Sequence, residues 1–505
     1  MEKIKAFLSK RDNQLLLLVM LFAIVIRMYF FFKTHLQGLW WDEADYMTLA
    51  KNYALGTPEI AAPWRAKGMS FLLSFAYQLG ANEVVQRLII IGFSVLGVYL
   101  TYVLAKDIYN KKIALIASTL MSVIWVNLFW TARFSAETFV LPFYILAGIF
   151  FWRGYVQNKS NWYLIFSGML IALAIFIYES PLTFFPFIAI FILVYDKLNF
   201  LKNKKFWLFI LGLAIVLPFV FYHYQTTEGS IYPRFDRIYE GSLAEGTELD
   251  TKLESQGLLS VIGTGFTYFY MAPEYLKWPL LILVIIGLYT FLDLFLGIDI
   301  LFKNKDEKLT KDFFILWWGL CVMLVFGVYM SITMAYYEQR YIYSAYPILM
   351  IIAARGILLI ADFLEKQKQR LGTLAIFILI IIVIVSHLSY ANEIIMFKST
   401  SFSQERAAGE WLKDHTEEGD VLIACTQAVP LTYYTERKVL TYRYNITGTD
   451  EDITNNKIKY LILDGYYFDC NLTYIELRQN NLTPVQAYYE GEQPVIVIFE
   501  TNGYY

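Results

Sequence analysis

Asp42, Glu43 and Asp45 crowd into the stretch "LWWDEADYMTLAKNY", directly after a long apolar run. Carboxylates this close together suit a general base with a neighbour that positions substrate, or the solvated face of an amphipathic helix. "EADYMTLAKNYAL" has helical periodicity, so the residues alone leave both readings open. The chemical reading is specific. An acceptor hydroxyl or amide that attacks a sugar C1 loses its proton as a carrier phosphate leaves, and a carboxylate within hydrogen-bond reach contributes about 10² to 10⁴ in rate by taking it. Exclusion of water at a membrane surface strengthens such a base by raising its pKa. Single displacement inverts the anomeric centre with one base, whereas double displacement also needs a nucleophile.

A phosphate leaving group calls for cations. Arg65 and Lys67 lie in "APWRAKGMSFLL", Arg87 lies early in the next apolar run, Arg133 lies in "FWTARFSAE" four residues before Glu137, and Arg340 lies in "YYEQRYIYSAYP". Arginine grips phosphate through two parallel bonds, while lysine acts as a point charge. The alternative for each is a cation snorkelling to head groups, and for Arg133 with Glu137 a structural i,i+4 pair. Asp45 and Glu137 are read as acceptor-binding or structural residues. Other chemistries find little footing. His35, His223, His387 and His415 show no metal-ligand spacing, and no glycine-rich phosphate cradle is present. Paired acids allow a divalent metal, but no residue set marks a metal site, and no cofactor is assigned. Tyrosine-rich segments such as "IYPRFDRIYEG" and "TYFYMAPEY" fit a sugar or lipid groove as well as an interfacial belt.

The elements that must position these residues are membrane helices. Of 505 residues, 57% are hydrophobic and 17% charged, where a soluble protein carries about 25% charged residues. Mean hydropathy is +0.46. A net charge of -2 offers no basic surface to nucleic acid. Apolar runs predict about eleven spans, near residues 14–32, 84–105, 113–130, 137–152, 162–178, 181–195, 206–222, 278–302, 313–331, 341–361 and 372–390. The first follows "MEKIKAFLSKR" and lacks a small-residue cleavage site, so it reads as a retained anchor. Alternate threading gathers about twenty Lys and Arg in one set of connections and about ten in the other, which makes the first set cytoplasmic. The acidic stretch and the cations named above then face outward.

Residues 1–391 form the expected transmembrane domain, with outer loops at 33–83 and 223–277 and the turn "TARFSAE". Residues 392–505 read as a separate extracytoplasmic α/β domain, with strands at "DVLIAC", "KYLILDG" and "PVIVIFE" and helices at "SQERAAGEWLKDH" and "LTYIELRQN". Cys425 and Cys470 fall in it and fit a disulfide or two free thiols. Asn445, Asn471 and Asn481 open N-x-[ST] tripeptides. No internal repeat supports a transporter of duplicated halves.

With these residues in place, the chain resembles the GT-C superfamily of membrane glycosyltransferases, in the branch of protein O-mannosyltransferases and lipid A aminoarabinose transferases. The resemblance runs through "DE" at Asp42 and Glu43, "RAKG" leading into "FLLSFAYQLGANEVVQRL", "ARFSAE", "RYIYSAYP" and the closing α/β domain. It implies a polyprenyl or dolichyl phosphate carrying one sugar, mannose-like or related, as donor. It also implies Asp42 as catalytic base with Glu43 beside it, and Lys67 and Arg340, assisted by Arg65 and Arg133, on the carrier phosphate. The acceptor is a glycan, lipid or protein. Relatives often show "KPP" where this chain has "KGM", and the oligosaccharyltransferase fingerprint "WWDYG" is absent from the outer domain. The competing readings are a lipid or lipid-linked-sugar flippase without chemistry, which would favour charges buried mid-helix such as Arg27 or Asp293, and a polysaccharide polymerase.

Overall fold

The computed structural model describes residues 10–58, 65–230, 263, 265–297, 305–333, 337–425, 429–441, 446–466 and 472–501. Most of the expected outer loop at 223–277, with "IYPRFDRIYEG", lies outside the described residues, as do Asn445, Asn471 and Cys470. In chain order the helices are α1 (Arg11–Thr34), α2 (Trp41–Leu55), α3 (Gly68–Gln78), α4 (Glu83–Ile108), α5 (Lys111–Val123), α6 (Trp125–Thr131), α7 (Ala136–Phe151), α8 (Trp162–Ile177), α9 (Phe184–Asp196), α10 (Lys204–Glu228), α11 (Ala272–Tyr289), α12 (Glu307–Thr333), α13 (Tyr346–Gln367) and α14 (Leu371–Phe397). The chain divides into two compact units, the first of residues 1–32, 63–68 and 88–395, the second of residues 33–62, 69–87 and 396–505.

The first unit is a bundle of apolar helices. Among the described residues nine helices are long and apolar enough to cross a membrane, α5 and α6 pass the same test as one span bent by 53°, and α8 is a shorter apolar helix. Each expected span thus has a helical counterpart, and the protein is an integral multi-pass membrane protein. The bend falls at Ile124, whose ψ of 123° breaks the helix. Trp125 opens α6, so its N–H has no acceptor within the helix. The buried His387 on α14 accepts it through Nδ1 at 3.3 Å, which spares the hydrocarbon an unsatisfied donor. Helices α8 and α10 meet at Gly168 and Gly212, where an added Cβ on either would collide with the other helix's backbone. Small residues at such contacts let membrane helices pack where lipid supplies no hydrophobic drive.

The two intramembrane charges singled out from sequence have structural tasks. Arg27 is 2% exposed and donates to Ser94 Oγ at 2.8 Å, Asn127 Oδ1 at 2.7 Å and the Ser122 and Ala23 carbonyls at 3.1 Å. Neutral acceptors from four places spread its charge and tie α1 to α4, α5 and α6. Asp293 pairs with Lys308, and both side chains are exposed.

The second unit joins α2 and most of α3 to the C-terminal segment. That segment holds α15 (Ser403–Asp414), β1 (Val421–Ala424), α16 (Val429–Thr435), β2 (Lys438–Thr441), α17 (Ile446–Asn456), β3 (Tyr460–Asp464), α18 (Leu472–Leu477), β4 (Leu482–Glu490) and β5 (Gln493–Thr501). The sheet order is β2-β1-β3-β5-β4. β1 runs parallel to β2 and β3, while β5 is antiparallel to β3 and β4. Alternation along β1 sends Leu422 and Ala424 into one core with Leu412 and Ile498, and Ile423 and Cys425 into the other with Ile453 and Leu461. The expected strands and helices are present, and β2, β4, α16 and α17 add to them. Cys425 is disulfide-bonded and Cys321 is a free buried thiol. Three bonds dock α2 and α3 on α16: the Leu39 N–H donates to the Tyr434 hydroxyl at 2.9 Å, the Lys51 ammonium to the Tyr433 carbonyl at 3.1 Å, and the Tyr77 and Tyr433 hydroxyls meet at 3.0 Å.

Candidate active site

In the first unit the turn between α6 and α7 builds a cluster around Glu137. Ser135 caps α7 by accepting from the Thr138 N–H at 3.2 Å and donates to Glu137 Oε2 at 2.8 Å. The Tyr178 hydroxyl donates to Glu137 Oε1 at 2.9 Å. Arg340 approaches the same oxygen at 3.7 Å, pairs with Glu338 at 2.5 Å, and lies 4.8 Å from the centre of the Trp130 ring. Glu137 thus links Ser135, Tyr178 and Arg340 in one cluster. Arg133 is buried, with its guanidinium 5.0 Å from the Phe129 ring centre. An arginine held along one edge by carboxylates and stacked on an indole keeps a fixed orientation, which suits recognition of a planar or tetrahedral anion.

Lys67 is also buried in the first unit. Its ammonium pairs with Glu228 at 2.7 Å, and its N–H donates to the Tyr224 hydroxyl at 3.2 Å. Arg65 lies half-buried two residues before it. The departure "KGM" has a steric basis. A Cβ on Gly68 would lie 2.6 Å from the backbone carbonyl of Phe176, so a proline there meets an obstacle that glycine avoids. Glu228, Glu338 and Tyr178 were not singled out from sequence. Glu338 sits two residues before Arg340 in "YYEQRY", but nothing local marks Glu228 or Tyr178 as partners of distant residues.

In the second unit Asp42, Glu43 and Asp45 stand in the first turns of α2. Glu43 and Asp45 are buried and Asp42 is half-buried. Glu43 Oε2 accepts the Trp40 N–H at 3.2 Å, the acidic half of a capping box. That gives Glu43 a task in starting the helix. Asp42 and Asp45, three apart, share a helix face, and Asp42 is the more accessible of the two. Trp40 packs edge-on against Phe402 at 5.9 Å. Arg87 is structural: it pairs with Glu83 at 2.8 Å and donates to the Gln37 carbonyl at 3.0 Å. Among the described residues no group of three or more His, Cys, Asp or Glu side chains is arranged to hold a metal ion.

The family model described as dolichyl-phosphate-mannose-protein mannosyltransferase matches residues 65–222, the stretch that carries Arg65, Lys67, Arg133 and Glu137. ArnT from Cupriavidus metallidurans in its apo state is similar over 97% of this chain and 98% of its own, with a TM-score of 0.66 and 11% identity. The same enzyme bound to undecaprenyl phosphate is similar over 95% and 97%, with a TM-score of 0.63 and 12% identity. The oligosaccharyltransferase AglB from Archaeoglobus fulgidus, in complex with an inhibitory peptide and a dolichol-phosphate, is similar over 98% of this chain and 75% of its own, with a TM-score of 0.59 and 12% identity. No curated protein matches the chain in sequence. The fold over nearly the whole chain is that of ArnT and AglB, the GT-C fold expected from the sequence.

Proposed function

We propose that the protein is a polyprenyl-phosphate-dependent membrane glycosyltransferase that moves a single sugar, with inversion, to an acceptor on the extracytoplasmic side. The observation that carries this reading is the pair of cations Lys67 and Arg340, each tethered by carboxylates in the first unit of a chain whose whole length has the fold of an enzyme solved with undecaprenyl phosphate.

The Asp42 carboxylate takes the proton of the acceptor hydroxyl as that oxygen bonds to the sugar C1. The bond from C1 to the carrier phosphate oxygen breaks with its electron pair, and polyprenyl phosphate departs with the added negative charge. Lys67 and Arg340 stabilise that charge, with Arg65 and Arg133 in support; one fixed donor of this kind is worth about 10² to 10³ in rate. Glu137 and Glu338 orient the Arg340 guanidinium, and Glu228 orients Lys67. Asp45 shares the Asp42 face and bears on the acceptor.

The outward placement of these residues rests on the Lys and Arg count of the connections. It is supported by disulfide-bonded Cys425, since disulfides persist in oxidising compartments. The flippase reading loses ground because Arg27 and Asp293, the charges a relay would use, are engaged structurally.

The test reconstitutes the purified protein with a radiolabelled polyprenyl-phosphate monosaccharide and protein, glycan and glycolipid acceptors. Label should pass to one acceptor class, with release of polyprenyl phosphate and an inverted linkage. Label that crosses the vesicle membrane still joined to its carrier would instead establish a transporter.

A further inference from the structure

A cavity of about 460 Å³ lies wholly within the second unit, bounded by the last turns of α2, residues 80–83, α15 and α16. The mechanism uses none of its lining. Tyr77 and Tyr433, both buried, meet there hydroxyl to hydroxyl, and the Lys51 ammonium sits 3.9 Å from the centre of the Tyr433 ring. Around them run two chains of paired charges. Glu436 bridges Lys51 at 2.9 Å and Lys413 at 2.7 Å, while Arg406 bridges Glu410 at 2.9 Å and Glu83 at 3.5 Å. Glu410 and Lys413 form the solvent-exposed rim.

We propose that this cavity is a carbohydrate subsite that binds a neutral glycan unit of the acceptor. The three cations and three carboxylates of the lining cancel, and all six are already paired. A charged ligand would have to break one of those pairs, whereas a neutral polyol uses what the pairs leave over. An ionised carboxylate accepts about four hydrogen bonds and an ammonium donates three, and bonds from hydroxyls to charged groups are about twice as strong as neutral ones. Lys51 spends two donors, on Glu436 and on the Tyr433 carbonyl, and retains one. Burial pushes the Lys51 ammonium below its ordinary pKa, while Glu436 partly restores it. The volume falls within the ~300–1,000 Å³ of small-molecule sites.

Lys51 and Asp42 lie nine residues apart on α2, about 13 Å at 1.5 Å per residue. The unit held here is therefore remote from the reacting one and selects for an extended glycan. Its role in acceptor choice rests on the glycosyltransferase reading; its binding of sugar does not.

The test is saturation-transfer NMR on the full-length protein in detergent. The probes are neutral manno-, malto-, cello- and N-acetylchitotriose, with trigalacturonate as the charged control. At least one neutral trisaccharide should bind, more tightly than trigalacturonate, and about tenfold more weakly to Leu55→Trp, which fills the cavity from its edge. Lys413→Met, a rim change on an exposed side chain, should weaken the same probe and serves if Leu55→Trp fails to fold. Absence of binding by every neutral probe, binding unchanged in the folded variants, or tighter binding of trigalacturonate would each overturn the proposal. An enzyme that binds the trisaccharide yet transfers no sugar to any acceptor would overturn the function proposed above and leave the subsite standing.

Discussion

Single side chains divide the site between chemistry and support. Lys67 is the direct ligand of phosphate in this account and Glu228 only aims it. Lys67→Met should therefore cost about 10² to 10³ in transfer, and Glu228→Gln should cost less and fall mainly on the donor KM; equal and negligible effects in steady-state kinetics would remove Lys67 from the site. Glu43→Ala should lower thermal stability by about 1 kcal/mol, the usual value of a helix cap, and should also lower transfer per folded molecule if Glu43 positions substrate beside Asp42; transfer falling only with the folded fraction would leave it a cap alone. A pH prediction belongs to Glu436. Burial pushes its carboxyl up, but the bonds and charges of Lys413 and Lys51 outweigh that and hold it below the ordinary 4.5. A depressed carboxyl stabilises the fold above its unfolded pKa and loses that contribution as pH falls through its folded pKa. Thermal melts from pH 6 downward should show Glu436→Gln losing less stability through that window than wild type. The candidate residues stood out because charged types are rare in an apolar chain. Their pairing did not: Glu137 and Arg340 lie about two hundred residues apart, and only the bundle brings them within 3.7 Å.

At the scale of elements, the spans were legible because hydrocarbon imposes a length and a composition that few soluble helices meet. The bend between α5 and α6 was not. It is set by the backbone of Ile124 and a bond from Trp125 to His387, and neither residue carries a local breaking signal. His387→Phe should strand the Trp125 N–H and cost about 1–3 kcal/mol, read as a lower melting temperature in detergent; an unchanged melt would deny His387 this task. Gly168→Val should be worse than a surface change by about 1–3 kcal/mol, since a packed contact must open to admit it. In the C-terminal segment, β1, β3 and β5 announce themselves by continuous β-branched and apolar runs. The strands β2 and β4 did not, because β2 has only two apolar residues between Lys438 and Thr441 and β4 carries Pro484 and register shifts at the sheet edge, where proline is tolerated.

For the whole molecule, orientation and activity are linked, because a base and phosphate ligands on the wrong face would never meet an extracytoplasmic acceptor. The asymmetry of Lys and Arg predicts residue 368 inside and residue 481 outside. Cysteine introduced at Asn481 should react with a membrane-impermeant maleimide on intact cells and cysteine at Lys368 should not; the reverse pattern would invert the topology. The fold was legible in the sequence because it follows from hydropathy. The sugar and the acceptor were not, because contacts assembled from distant segments select them. The central claim is that Asp42 is the base of a sugar transfer. Its most direct test compares wild type with Asp42→Asn for transfer from a radiolabelled polyprenyl-phosphate sugar and, in parallel, for donor binding. Asparagine keeps size and hydrogen bonding but cannot take the proton. The account predicts a fall of about 10² to 10⁴ in kcat with donor binding retained. Transfer at the wild-type rate by a folded Asp42→Asn variant would contradict it.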